Sequence, residues 1–451
     1  MSLSGRLDRA DAHNAKDYLN APSLRDTAVI PIITDNGELK DKVQTQLMQV
    51  IGQQAYSGQI EPAVLERMAY EAIAEVLRTA DRPFTGVDRA RLVQEIIDDI
   101  LGHGPIEPLL RDPDVTEIMV NRWDTIFVER RGKLFPSDAT FDNEEHLRRT
   151  IERIVARVGR RIDESSPMVD ARLPDGSRVN AVVPPIALDG SSLTIRKFAR
   201  DPFTSADLVH MGTLTLPAVE LLDACIRGRL NVLISGGTGS GKTTTLNVLS
   251  GFIPRDERII TIEDAAELQL DQPHVLRMES RPSNIEGKGL ITIRDLVRNA
   301  LRMRPDRIIV GEVRDAAALD MLQAMNTGHD GSITTVHANS TRDALSRIET
   351  MVLMAGVDLP VRVIREQIVQ AIDVVIQQSR LRDGSRHVTA ISEVLGMEGD
   401  TIQTQDIFKF EYAQGVTEGP LGHLASTGMV PRFEPRLRDR GIELSRLMFV
   451  R

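Results

Sequence analysis

Apolar residues recur at helical spacing through the first hundred positions. Leu39, Val43, Leu47, Val50 and Ile51 fall on one face, and Val64, Leu65, Met68, Ile73, Val76 and Leu77 on a second. Leu92, Val93, Ile96, Ile97, Ile100 and Leu101 form a third. Gly58 separates the first two runs, and Pro83 with Gly86 the last two. The pattern predicts a three-helix bundle over 36–103 behind a flexible, aperiodic segment, 1–35. The bundle carries no polar motif, so its periodicity marks packing rather than chemistry.

The pattern changes at Gly102-His-Gly-Pro105. Val115–Asn121 and Thr125–Glu129 are β-rich, with Arg131-Gly132-Lys133 as a turn into Leu134–Phe135. One helix follows, its face made by Leu147, Ile151, Ile154, Val155 and Val158. Pro174-Asp-Gly-Ser177 joins two short strands, and Ser192–Phe198 predicts another. Residues 104–204 therefore read as a small α+β domain of PAS-like size and order. Pro202–Gly212 reads as the linker out of it and the natural hinge.

From 205 to 451 strand and helix alternate. Thr215 and Pro217 open a helix that ends near Gly228. Apolar strands are predicted at Asn231–Ser235, Ile259–Glu263, Arg307–Gly311 and Ser332–His337. Alternation of this kind predicts a mostly parallel α/β sheet with helices on both faces. After about Ile372 the pattern turns to β, at Asp373–Gln378, His387–Val394 and Ile402–Glu411, and the last forty residues carry no clear period.

Three of these strands end in polar motifs. Gly236-Gly237-Thr238-Gly239-Ser240-Gly241-Lys242-Thr243-Thr244 follows the first and opens a helix, the P-loop pattern. Its glycines let backbone N–H groups converge on phosphates, with Lys242 for the β- and γ-phosphates and the Thr243 hydroxyl for Mg²⁺. Arg307-Ile-Ile-Val-Gly-Glu312 ends in an acid suited to hold Mg²⁺ through water, and Ile259-Ile-Thr-Ile-Glu263-Asp264 in one suited to polarise the attacking water. Spacing alone does not order these two roles. Asp264 reads as a cap on the turn that follows it. His329 and His337 flank the last strand, where a histidine could sense the γ-phosphate or simply pack. Arg172, Arg178 and Arg196 surround the Pro-Asp-Gly hairpin, as fingers for the phosphates or as surface charge.

Composition narrows the class. Lys and Arg total 55 against 65 Asp and Glu, a net charge of −10, and aromatics are 4% with Trp123 the sole tryptophan. Neither a basic stripe nor a stacking platform for nucleic acid is expected. No apolar run approaches a membrane span and the first residues show no signal peptide, which points to a cytoplasmic protein. The single cysteine, Cys225, excludes an intrachain disulfide and a cysteine-based zinc site.

Taken together, Gly236–Thr244, Thr261-Ile-Glu-Asp264, Val310-Gly-Glu-Val-Arg-Asp315 and Thr327-Gly-His with His337-Ala-Asn339 resemble four ordered boxes. These are the Walker A, Asp, Walker B and His boxes of the secretion-superfamily ATPases. Gly104–Leu110, Val115–Asn121, Asp170–Asn180 and Gly399–Phe408 resemble the CpaF-type branch of tight-adherence (Flp, type IVc) pili. The resemblance implies a RecA-like P-loop domain, with ATP and Mg²⁺ bound between it and the α+β domain of a homohexamer. It implies Glu263 as general base, Glu312 and Thr243 at Mg²⁺, and Lys242, Arg172, Arg178 and Arg196 toward phosphate. It also assigns His329 and His337 to the His box. The partners it implies are an inner-membrane platform protein and, through it, pilin. A type IV secretion motor moving protein or DNA is the alternative. Many related ATPases carry a tetracysteine module, which one cysteine rules out here.

Overall fold

A computed structural model describes residues 42, 62–78, 86–130, 132–198, 203–283, 288–413 and 421–450. They divide into two compact units at Pro105 and Ile106. In the first, helices Pro62–Arg78 and Gly86–Ile100 pack together, burying Ile73, Val76, Leu92, Ile96 and Ile97. The expected helix around Leu39–Ile51 lies outside the described residues.

The second unit contains two sheets. The first comprises β1 (Val115–Arg122), β2 (Thr125–Arg130), β3 (Lys133–Pro136), β4 (Met168–Arg172), β5 (Arg178–Val182) and β6 (Ser192–Arg196). Their order is β3-β2-β1-β6-β5-β4, antiparallel throughout. Helix Glu144–Arg157 buries Leu147, Ile151, Ile154 and Val155 against Ile118, Val179, Leu193 and Ile195. Asn143 starts it by accepting the His146 N–H at 2.9 Å.

The larger sheet is built from β7 (Val232–Gly236), β8 (Ile259–Glu263), β9 (Val275–Glu279), β10 (Arg307–Val310), β11 (Ile333–Val336), β12 (Val374–Arg380), β13 (Arg386–Glu398), β14 (Thr401–Tyr412) and β15 (Gly422–Ser426). The order is β15-β14-β13-β12-β7-β11-β10-β8-β9. The run from β12 to β9 is parallel, and β13 to β15 extend it antiparallel. Side chains alternate between two cores, one on each face. Val232, Ile234, Ile309 and Ile376 enter one; Leu233, Ile260, Val310 and Val375 enter the other.

Three features depart from the sequence reading. The expected linker contains a helix, Ser205–His210, with a reciprocal Thr204–Asp207 capping box and Leu208 buried in the larger domain's core. Polar Ser, Asp and His letters hid its apolar anchor. The segment between the Ile259 and Arg307 strands holds an edge strand, β9, besides helix Ile293–Ala300. Residues 430–449 also pack onto the core. Phe433, Leu437, Met448 and Phe449 pack into it, while the Glu393 carboxylate accepts the N–H groups of Arg432 and Phe433 at 2.9 and 2.8 Å. Among the described residues no helix is long and apolar enough to cross a membrane.

Candidate nucleotide site

The parallel strands all deliver their carboxyl ends to one edge of the sheet. β7 is buried along its length and turns there into the glycine-rich loop and helix Lys242–Ser250. Gly236 has no room for a side chain, because a β-carbon would overlap Gln378 O and sit 2.5 Å from Ser240 Oγ. Gly239 and Gly241 take φ of 69° and 94°, left-handed values that L side chains resist. Ser240 is buried and donates from Oγ to Gly237 O at 2.9 Å, while Thr238 and Gly239 form the exposed tip. Lys242 Nζ donates to Gly236 O at 3.0 Å and Gly237 O at 3.1 Å. Burial pushes the ammonium's pKa down, opposed by the nearby Glu312 carboxylate. Thr243 and Thr244, half-buried in the first turn, have no side-chain hydrogen bond among the described residues.

Glu263 ends β8, next to β10 in parallel register (Ile262 beside Val310), so Glu312 emerges beside it. Glu263 is 3% exposed. Its Oε2 accepts the N–H groups of Glu267 and Leu268 at 2.7 and 3.0 Å, whereas Oε1 is buried with no partner. Desolvation raises its pKa above the ordinary carboxylate value, with the two N–H groups opposing. Glu312 is held by Arg314, whose Nη2 donates to Oε2 at 2.6 Å. Asp264 does not cap the following turn. It accepts from Ser280 Oγ at 3.1 Å and lies 3.5 Å from the Arg314 guanidinium.

The structure separates the two histidines. His337 directly follows β11 and so lies on the P-loop edge. His329 precedes β11 on the opposite edge, where its carbonyl accepts from Ser332 Oγ at 2.8 Å. Within one chain it is remote from Lys242, because a strand has length and sequence proximity does not remove it. Arg172 and Arg178 reach the larger domain and meet carboxylates there: Arg172 Nη2 is 2.6 Å from Glu279 Oε2 and Arg178 Nη1 2.6 Å from Glu267 Oε1. Arg196 stays on the smaller sheet, paired in register with Glu117 and Arg178.

Gln378, Arg380 and Arg386, which carry no motif in the sequence, also border the loop. Gln378 Oε1 accepts from Thr245 Oγ1 at 2.9 Å beneath the loop. Arg386 Nε donates to Gly239 O at 2.9 Å, and Arg380 Nη2 to Gly132 O at 2.8 Å. Nothing local marks these residues, which lie more than a hundred positions from the loop. The Asp-Gly turn between them looks like any hairpin.

The empty-handed Glu263 Oε1, the glycine cradle and the unengaged Thr243 hydroxyl suit a nucleotide with its metal ion: donors for phosphate, oxygens for a hard cation. A P-loop on a central parallel strand with two acids across from it defines a RecA-like P-loop domain. The chain belongs to the type II/IV secretion system protein family, whose profile matches residues 99–413. A Mycobacterium tuberculosis protein named for conjugal transfer is 38% identical over 307 residues, covering 67% of this chain and 87% of that one. The type IV secretion system protein VirB11 of Bartonella henselae is 34% identical over 331 residues, 64% of this chain and 90% of its own. A solved structure of the VirB11 ATPase from the Brucella suis type IV secretion system, in complex with sulphate, is 32% identical. It covers 64% of this chain and 91% of that chain, with a TM-score of 0.35.

Proposed function

We propose that this chain is the Mg²⁺-dependent ATPase motor of a tight-adherence (Flp, type IVc) pilus. In this reading it works as a homohexamer at the cytoplasmic face of the inner membrane, acting on pilin through a platform protein. The observation that carries the ATPase part is the pair of acids on adjacent strand ends, one with a buried oxygen left unpartnered.

Mg²⁺-ATP, when bound, supplies an activated phosphoryl group, and Lys242, Thr243 and Glu312 are the residues that would hold it. Glu263 keeps Oε2 fixed by two backbone donors and leaves Oε1 to take a proton from water. Arg172 and Arg178 stand one ion pair away from release toward phosphate. His337 shares the loop's edge and suits a sensor. His329 suits one only across a subunit boundary.

Replacing Glu263 with Gln tests the assignment: ATP binding should persist while hydrolysis is lost, and retained turnover sinks it. Support for the pilus reading comes from the segments Gly104–Leu110, Val115–Asn121, Asp170–Asn180 and Gly399–Phe408, which resemble the tight-adherence branch. A type IV secretion motor is the second reading, favoured by relatives named for conjugal transfer and type IV secretion. Deleting the gene separates them, through loss of surface pili or loss of conjugative transfer or protein export.

A further inference from the structure

The turn between β12 and β13 runs Arg380-Leu-Arg382-Asp383-Gly-Ser-Arg386, three arginines to one acid, in a chain of net charge −10. It lies directly against the P-loop. Arg386 donates to Gly239 O at 2.9 Å, and its Cδ would be 3.4 Å from a β-carbon on Gly241. Arg380 Nη1 is 4.0 Å from where a β-carbon on Gly239 would be, while Nη2 donates to Gly132 O at 2.8 Å. Among the described residues, none of the three arginines lies within salt-bridge distance of a carboxylate. Asp383 instead accepts from Ser385 N at 2.9 Å.

That is unusual beside this site. Arg172, Arg178 and Arg314 each already hold an acid. Two exposed guanidinium groups at a phosphate loop, each using one donor on a backbone carbonyl, have donors to spare and no counter-charge. Arg guanidinium presents five donors in a planar fork matched to phosphate oxygens.

We propose that Arg380 and Arg386 form a second cationic arm of the nucleotide site, binding the phosphates of the nucleotide held on the P-loop. The arm comes from the same chain, through a hairpin that also touches the turn between β2 and β3. Occupancy at the loop is thereby felt by the smaller sheet without an arginine from another subunit. This inference rests on the ATPase reading and assigns it two further ligand-binding residues.

The test is displacement of a fluorescent ADP analogue from the full chain by inorganic pyrophosphate, which senses phosphate contacts alone. Lys242→Ala is the control for loop binding. R386A and R380A should each weaken pyrophosphate about tenfold or more, the loss of a charge-assisted hydrogen bond. R386K should recover part of it, keeping charge but not the fork. R382A removes the same charge without touching the loop and should change it by about threefold or less, as a screened surface charge. Thermal unfolding identifies any variant that fails to fold; R386Q and R380Q then replace the alanines. Wild-type affinity in the Arg380 and Arg386 variants, or an equal loss in R382A, overturns the proposal. Failure of the unmodified chain to bind the ADP analogue overturns the ATPase reading instead.

Discussion

Glu263 packs against Gly311 so closely that a β-carbon on Gly311 would lie 2.9 Å from Glu263 Cγ. The glycine between Val310 and Glu312 therefore serves the neighbouring strand: its missing side chain is the space in which the other acid stands. Gly311→Ala should displace the Glu263 carboxylate and lower kcat about a hundredfold or more, the scale of losing a positioned acid–base group. Nucleotide affinity should stay near wild type. An unchanged kcat would show that this packing does not position Glu263.

Burial raises the Glu263 pKa above its ordinary 4.5. In its proposed role as base Glu263 must be ionised, so the acid limb of the kcat profile should lie above that value and climb as pH rises through the raised pKa. The stability effect runs the other way. A raised folded pKa stabilises the fold below the unfolded value, and that contribution fades as pH rises through the folded one. Wild type should therefore lose stability relative to Glu263→Gln as pH is raised across the acid range. Parallel melting curves for the two proteins would contradict it.

Arg178 and Glu267 tie the smaller sheet to the loop that holds Glu263, since the Glu267 N–H donates to Glu263 Oε2 at 2.7 Å. Half-exposed ion pairs contribute little stability, about 0–1 kcal/mol. Glu267→Gln should therefore barely move the melting temperature. It should free Arg178 and lower the KM for ATP a few-fold, on the order of that same energy. A raised KM with an intact fold would mean that Glu267 holds Arg178 in its working position.

Arg307 is fully buried at the amino end of β10. Its Nε meets Glu257 Oε2 at 2.5 Å and its Nη1 meets Gly331 O at 3.3 Å. Glu257→Gln leaves the guanidinium without its counter-charge and should cost about 3–5 kcal/mol, measured by denaturant unfolding. Arg307→Met with Glu257→Leu should recover much of that loss, because a well-packed apolar pair removes both desolvation penalties. Double-mutant stability no better than the single would mean that packing around Gly331 governs the site.

Gly236 lies against the Gln378 carbonyl, a backbone atom with little freedom to yield. Gly236→Ala should weaken ADP binding at least about tenfold by pushing β7 and β12 apart beneath the loop. Gly237→Ala is the contrast, because nothing lies within 4 Å of its would-be β-carbon. Equal binding by both variants would show that the loop tolerates the displacement.

The legible parts of this protein were the locally encoded ones. The P-loop announces itself because adjacent residues do one job on one turn. The apolar runs that became β7, β8, β10 and β11 were readable because a strand buried on both faces is a short run dominated by apolar and β-branched residues. β9 escaped because it is an edge strand of mixed exposure, and the helix at Ser205–His210 because only Leu208 of its residues is buried. The packing of residues 430–449 rests on Glu393 and on a core assembled from elsewhere, neither of them a local signal.

By itself the sequence determined the loop chemistry, the alternation that makes a parallel sheet, and which acids end strands. Those follow from residue type and spacing along a few turns of chain. The tertiary structure decided which of those groups meet. Parallel register placed Glu263, Glu312 and His337 on one edge and left His329 on the other, a strand's length away. Chain crossing brought Arg380 and Arg386 to the loop and set Arg172 and Arg178 against acids. Ion pairs and hydrogen bonds act over a few ångströms of space, and separation along the chain does not encode that distance.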